Sequence, residues 1–305
     1  MTRSYGMSHE LSGVYAAALT PLNKDLSPDF DLIPQYLTHL EKNGCHGALI
    51  LGTTGEGPSF SKHERIAIME SARSYKETHP EFKLLVGTGT VNINETIELT
   101  EHSFSLGFNG VVVLPPYYYR KIDDRSLFEW YQLIIDNAVP EDGYLLVYNI
   151  PSMTGISFSL DLLMKLKERF PRQFAGIKDS SSDEQYCRDL GERFGKDLLV
   201  LNGNDKLFSL ALEKQAEGCI TALANLYSPL LRKVWDGFQK AENTEETQQK
   251  ITIYRTILEK YAPYACPLKA MMNSMFGFPL SPVKPPLLNL DSSQRDQIYQ
   301  EFVST

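Results

Sequence analysis

Lys178 follows the apolar run Phe174-Ala175-Gly176-Ile177, and an amine at the end of a buried strand can do chemistry that a surface lysine cannot. Withdrawal from water favours the neutral form, which attacks carbonyl carbons and condenses to an imine. Taken alone, the residue has an ordinary explanation too: a strand-end lysine pairs with a neighbour such as Asp179 or extends its amine to water. Its company argues for chemistry. Tyr148 closes the run Tyr144–Tyr148, where a phenol can exchange a proton with a substrate hydroxyl; its other reading is a packing aromatic, the usual fate of the chain's 16 tyrosines. Thr53, Thr54 and Gly55 stand in the turn Gly52-Thr53-Thr54-Gly55-Glu56-Gly57. Two hydroxyls and successive backbone N–H groups there form a nest suited to a carboxylate, and without a ligand the segment is simply a tight turn. Ser180 lies two residues past Lys178, and Gly203 in Asn202-Gly203-Asn204-Asp205 either exposes backbone to a ligand or permits close packing. Tyr117-Tyr118-Tyr119 fits a site, a hydrophobic cap or a subunit contact equally well.

All of these groups come just after short apolar, β-branched runs. The runs are Val14–Leu19, Ala48–Leu51, Leu84–Val86, Gly110–Leu114, Tyr144–Tyr148, Phe174–Ile177, Leu198–Leu201 and Cys219–Ala222. Roughly 20 to 40 residues of helix-periodic sequence separate them, the βαβ rhythm of a parallel sheet. Their continuous hydrophobicity suits strands covered on both faces. One intervening helix shows both ends: Ser27 as N-cap, Pro28 at the first helical position, an apolar face of Phe30, Ile33, Leu37 and Leu40, and a stop at Asn43-Gly44. Eight such units predict a closed (β/α)8 TIM barrel, an α/β fold that gathers its chemistry at the C-terminal ends of the strands. The absence of G-x-G-x-x-G argues against a doubly wound nucleotide-binding sheet. Further helices near Pro229–Lys240, Thr247–Tyr261, Pro267–Phe276 and Ser292–Phe302 complete the picture. The organisation expected is an N-terminal tail over 1–12, the barrel over 13–240 and a small C-terminal helical extension over 241–305.

Composition narrows the partners. A formal charge of −8 argues against a nucleic-acid surface, so an anionic substrate has to be held by local donors. Residues 1–12 carry no apolar signal core, and no apolar run reaches the roughly 18 residues of a membrane span. A cytoplasmic location is therefore expected, with the four dispersed cysteines as reduced, buried thiols. None of the histidines is given a catalytic role, and no metal-ligand spacing is present, so neither metal nor cofactor is expected.

The ordered set Gly52-Thr53-Thr54-Gly55-Glu56, Pro116-Tyr117-Tyr118, Tyr148-Asn149-Ile150-Pro151 with Thr154-Gly155, and Gly176-Ile177-Lys178 resembles the dihydrodipicolinate synthase/N-acetylneuraminate lyase family of class I aldolases. The resemblance runs from about Gly13 to the Pro285-Pro286-Leu287 region, nearly the whole chain. It implies that Lys178 forms an imine with the C2 carbonyl of pyruvate or of a 2-oxo acid. It also implies that Tyr148 shuttles the proton at the aldol hydroxyl, with Thr53 and Tyr118 completing a relay. Thr54 and the N–H groups of its turn would hold the pyruvate carboxylate, while the backbone around Gly203 and Ile220 lines the lysine side. In such proteins the residue matching Tyr118 usually reaches a neighbouring subunit, within a homotetramer built as a dimer of dimers. Met153 stands where dihydrodipicolinate synthases usually carry an arginine for the aldehyde's carboxylate, which disfavours aspartate semialdehyde as acceptor. Lys178-Asp179-Ser180 and the triple tyrosine look more like 2-keto-3-deoxygluconate aldolases, and Ala222-Leu223-Ala224-Asn225 is similar to 4-hydroxy-2-oxoglutarate aldolases. The partners implied are pyruvate and a small aldehyde, or the 2-keto-3-deoxy acid that yields them. The readings kept beside this one are a dihydrodipicolinate synthase and a non-catalytic ligand sensor on the same fold.

Overall fold

The computed structural model describes residues 9–305; residues 1–8 of the expected N-terminal tail lie outside the described residues. Eight strands, β1 (Gly13–Ala17), β2 (Gly47–Ile50), β3 (Lys83–Gly87), β4 (Gly110–Val113), β5 (Leu145–Asn149), β6 (Phe174–Asp179), β7 (Leu199–Asn202) and β8 (Gly218–Thr221), pair in sequence order. All pairs are parallel, and β1 closes on β8 through Gly13↔Gly218 to Ala16↔Thr221. This is the closed (β/α)8 barrel that the run spacing predicts.

Strand side chains alternate between two apolar layers, as a pleat requires. Tyr15, Ala17, Leu49, Leu85, Val112, Leu146, Tyr148, Leu199, Leu201 and Ile220 fill the barrel interior. Their neighbours Val14, Ala16, Ala48, Ile50, Leu84, Val86, Val111, Val113, Val147 and Val200 face the surrounding helices. Both faces are buried, so the runs read as continuously apolar. Leu11, fully buried, joins the interior cluster, and the Glu217 carboxylate accepts from the His9 N–H at 2.7 Å and from the Ser12 hydroxyl.

One strand breaks the alternation. Phe174 and Ile177 of β6 both face the helices although they are three residues apart, while Ala175 faces inward. The register explains it: Leu145 pairs with Phe174, but Leu146 pairs with Gly176, leaving Ala175 as an extra residue. Such a bulge shifts the phase of everything beyond it. From Gly176 onward β6 runs in step with β5, pairing Tyr148 with Lys178 and Asn149 with Asp179.

Two expectations need correction. The first helix spans Leu32–Lys42, with Asp31 rather than Ser27 before it, and its side chain makes no cap hydrogen bond. Ser27 is captured instead by a preceding turn, where its N–H and hydroxyl donate to Asp25 Oδ1 at 3.0 and 2.6 Å. Pro28 bridges to Leu22 in an extended conformation, and Phe30 is exposed. Ile33, Leu37 and Leu40 are buried as expected, and the chain does stop at Asn43-Gly44, where Gly44 has φ 92°. The helix after β8 begins earlier than read, at Ala224, and runs to Gln239 with non-helical angles at Tyr227, two residues before Pro229.

Helices Glu245–Glu259, Ala265–Phe276 and Ser292–Val303 follow. Their buried Ile251, Leu258, Leu268, Met271, Ile298 and Phe302 belong to the same apolar cluster as Val14 and Ala48 of the barrel. Charge fastens them as well: the Arg255 guanidinium donates to Asp205 beyond β7 at 2.7 Å, both side chains being buried. No helix among the described residues is long and apolar enough to cross a membrane.

Candidate active site

Lys178 and Tyr148 face each other inside the barrel because β5 and β6 run in step above the bulge. Only 2% of Lys178 and 4% of Tyr148 is exposed, and the Lys178 Nζ lies 4.0 Å from the centroid of the Tyr148 ring. Two opposed effects act on the phenol. Burial pushes its pKa up; the adjacent Lys178 charge and the hydrogen-bonding groups of Thr53, Lys178 and Ser180 pull it down, and the second set prevails. The result is a phenol more acidic than an ordinary tyrosine, next to an amine. That is the pairing needed to pass a proton while a carbonyl is held.

The outward side of the same two strands carries a matched pair. Asn149 Nδ2 donates to Asp179 Oδ1 at 2.8 Å, and both residues are buried. Ser181 adds its N–H at 3.1 Å and its hydroxyl, which donates to Asp179 Oδ2 at 3.1 Å. Burial raises the Asp179 pKa, and these hydrogen bonds only partly oppose it. The pair clips the strands together one residue beyond Tyr148 and Lys178. Asp179 is thus not the lysine's ion-pair partner, which removes the ordinary explanation for Lys178.

The Gly52–Gly57 turn completes the wall on the β2 side. Among the described residues, the backbone N–H groups of Thr53, Thr54 and Gly55 donate to no other group of the protein, so they can serve an anion. The turn is held tightly from outside. Thr20 Oγ1 donates to the Gly55 carbonyl at 2.7 Å, and Arg65 gives Nε and Nη2 to the Gly57 carbonyl at 3.0 and 2.8 Å. Gly55 has to be glycine, because a Cβ would sit 2.6 Å from the Ala18 carbonyl oxygen. Thr53, Gly52, Arg65, Leu114 and Tyr148 line one small cavity.

Ser180 and Gly203 meet on the opposite side. Gly203 donates its N–H to the Asp179 carbonyl at 2.6 Å, and a Cβ on Gly203 would fall 1.9 Å from Ser180 Oγ. Gly203→Ala therefore displaces the hydroxyl that helps hold the Tyr148 phenol. A loss of about 1–3 kcal/mol in stability is expected from the overpacking, measured by denaturant unfolding, together with an upward shift of the phenol titration. Ile220 lies in the barrel interior with Tyr148 and Leu201. Tyr118 is the residue the chain does not bring in: it is 75% exposed, edge-on to Tyr119 at 5.3 Å.

Sequence reasoning passed over Glu56, Arg65 and the Asn149–Asp179 clip. Glu56 was visible as the charged member of a glycine-bounded turn, but its partners lie far along the chain. Arg65 sits in a helix whose surface pattern gives no sign that its guanidinium turns back to the Gly57 carbonyl.

Comparison with known proteins gives the fold and site a family. The dihydrodipicolinate synthetase family matches residues 10–303, and the chain belongs to that family. An uncharacterized DapA-like lyase of Chloroflexus aurantiacus is 32% identical over 288 residues, 93% of this chain and 94% of the relative. Another from Thermococcus kodakarensis is 31% identical over 294 residues, covering 94% and 97% of the two chains. Among solved structures, the E. coli K12 prophage protein YagE, in complex with pyruvate, matches with a TM-score of 0.90 at 24% identity, over 96% of this chain and 98% of that one. A dihydrodipicolinate synthase from Cyanidioschyzon merolae with lysine bound gives 0.89 at 23% identity, over 97% and 99%. At these identities the two structures establish a shared fold.

Proposed function

We propose that this family member is a Schiff-base-forming, pyruvate-dependent aldolase that reversibly cleaves a 2-keto-3-deoxy (2-oxo-4-hydroxy) acid to pyruvate and an aldehyde. The observation that carries the reading is the buried Lys178 amine 4.0 Å from the Tyr148 ring, beside a turn whose Thr53, Thr54 and Gly55 N–H groups donate to no other group among the described residues; the Lys178 charge and the hydroxyls around it also make the phenol more acidic than an ordinary tyrosine. Lys178 adds through Nζ to the C2 carbonyl and water leaves, giving a protonated imine. Tyr148 takes the proton of the C4 hydroxyl; the C3–C4 bond breaks, its electron pair flows into the imine as an enamine, and the aldehyde departs. Protonation of C3 and hydrolysis release pyruvate and restore the amine. Thr54 and the turn hold the carboxylate throughout, which fixes C3 toward the acceptor in the reverse direction. Ser180 and Thr53 hold the phenol, and Gly203 and Ile220 shape the lysine side. YagE, of the same fold and bound to pyruvate, supports this choice of ligand.

Tyr118 completes the relay from a second copy of the chain in a homotetramer, which accounts for its exposure in one chain. The enzyme works in the cytoplasm, with no metal or cofactor required. Condensation with aspartate semialdehyde is the second reading; Met153, 57% exposed in the segment after β5, supplies no charge for that aldehyde's carboxylate.

The test is borohydride reduction in the presence of pyruvate, followed by peptide mass mapping. An adduct on Lys178 is expected, after which a panel of 2-keto-3-deoxy acids and aldehydes identifies the partner. No adduct on folded protein overturns the mechanism in favour of a non-catalytic ligand sensor.

A further inference from the structure

The Gly52–Gly57 turn contains two costs that packing alone does not require. Glu56 takes a left-handed conformation, φ 57°, between two glycines, and Leu51 at the end of β2 does the same. For residues other than glycine this conformation is strained. The Glu56 carboxylate is also buried completely, at 0% exposure, opposite a Lys269 side chain that is 3% exposed. A buried ion pair contributes little net stability once desolvation is counted. Strain and buried charge converge on one residue of the turn that carries Thr53 and Thr54.

The partners of Glu56 all come from the C-terminal part of the chain. Lys269, in the helix Ala265–Phe276, places Nζ 2.6 Å from Glu56 Oε1. The same Nζ donates to the Pro282 carbonyl at 2.7 Å. The Lys284 N–H donates to Glu56 Oε2 at 2.7 Å. Ser281 joins the same strap to the loop after β1 by accepting from the Leu22 N–H at 2.7 Å. The strap 281–284 and the helix therefore grip the turn through one carboxylate. Gly57 beside it leaves no slack, since a Cβ there would lie 2.0 Å from the Leu51 carbonyl oxygen.

We propose that Glu56 is a positioning residue: through it the C-terminal segment holds the turn in the shape that presents the Thr53, Thr54 and Gly55 N–H groups to the substrate carboxylate. The inference rests on the aldolase reading and adds to it a determinant of carboxylate affinity outside the reacting groups. Glu56 touches no substrate. Its effect falls on the binding of pyruvate, while Lys178 and Tyr148 are placed by β5 and β6 and meet the turn through the Thr53 hydroxyl at the phenol, a contact that imine trapping does not require.

The experiment measures the rate of borohydride trapping against pyruvate concentration in wild type, Glu56→Gln, Glu56→Asp and Lys269→Gln. In each variant we expect the half-saturating concentration to rise about tenfold or more, with the limiting rate kept within about threefold. Glu56→Asp separates geometry from charge, because it keeps the carboxylate but cannot reach Lys269 and the Lys284 N–H together. Lys269→Gln is the milder change, keeping a donor for Pro282; circular dichroism and melting confirm that each variant folds. Variants that melt earlier but keep the wild-type half-saturation overturn the proposal and leave Glu56 a purely structural residue. An equal fall in limiting rate and affinity overturns it as well, by placing the effect on the reacting pair. A wild type that traps no pyruvate removes the aldolase reading itself, and this inference with it.

Discussion

Lys178→Met gives a folded barrel that forms no borohydride-stable adduct with pyruvate and cleaves no 2-keto-3-deoxy acid. The loss expected in turnover is at least ~10⁴-fold, the scale seen when a covalent nucleophile is removed. Methionine suits the test because it fills most of the volume of the lysine stem inside an apolar barrel, so circular dichroism and the melting transition should stay close to wild type. The amine faces Tyr148 and not a carboxylate, so the substitution leaves no unpaired partner charge behind. Retention of an adduct, mapped to another lysine, would show that the imine forms elsewhere.

Tyr148→Phe separates imine formation from proton transfer. The ring remains under the amine, and trapping with pyruvate persists. Aldol cleavage falls by about 10²–10⁴-fold, the usual contribution of a positioned general acid or base. The pH profile gives an independent readout. The phenol titrates below its ordinary value of about 10, so the phenolate that accepts the C4 hydroxyl proton becomes available at lower pH than for a free tyrosine. The limb of the cleavage profile that rises with this ionisation should therefore lie below pH 10 in wild type and vanish in Tyr148→Phe. A cleavage rate unchanged by the substitution would assign the proton relay to another group.

The sequence carried the barrel because of a physical accident of parallel sheets: strands buried on both faces leave unbroken apolar runs. Val14–Leu19 and Gly110–Leu114 were visible for that reason, and the candidate site residues are those that follow such runs. Local signals were less faithful. Ser27-Pro28 has the composition of a helix start, yet Asp25 is closer to hand and takes the serine hydroxyl into a turn. Contacts between distant segments left no local trace. The Glu56 grip, the Arg255–Asp205 pair and the Asn149–Asp179 clip each join residues that no periodicity relates. Nor did a local signal mark Tyr118 as exposed, because a triple tyrosine suits a site, a cap or a subunit contact equally well.

The extra residue at Ala175 makes the direction of Lys178 a matter of parity. Below it, β6 keeps Phe174 on the helix side with the outer layer; above it, odd and even positions exchange roles, and that exchange alone turns Lys178 inward. Deleting Ala175 would erase the bulge and still leave Gly176, Ile177 and Lys178 opposite Leu146, Val147 and Tyr148; closing the bulge at unchanged length would instead set Ile177 opposite Tyr148 and turn the amine out among the helices. Fold and reactivity are thus encoded separately within a single strand, one by the identity of its residues and the other by where the ladder leaves one of them unpaired.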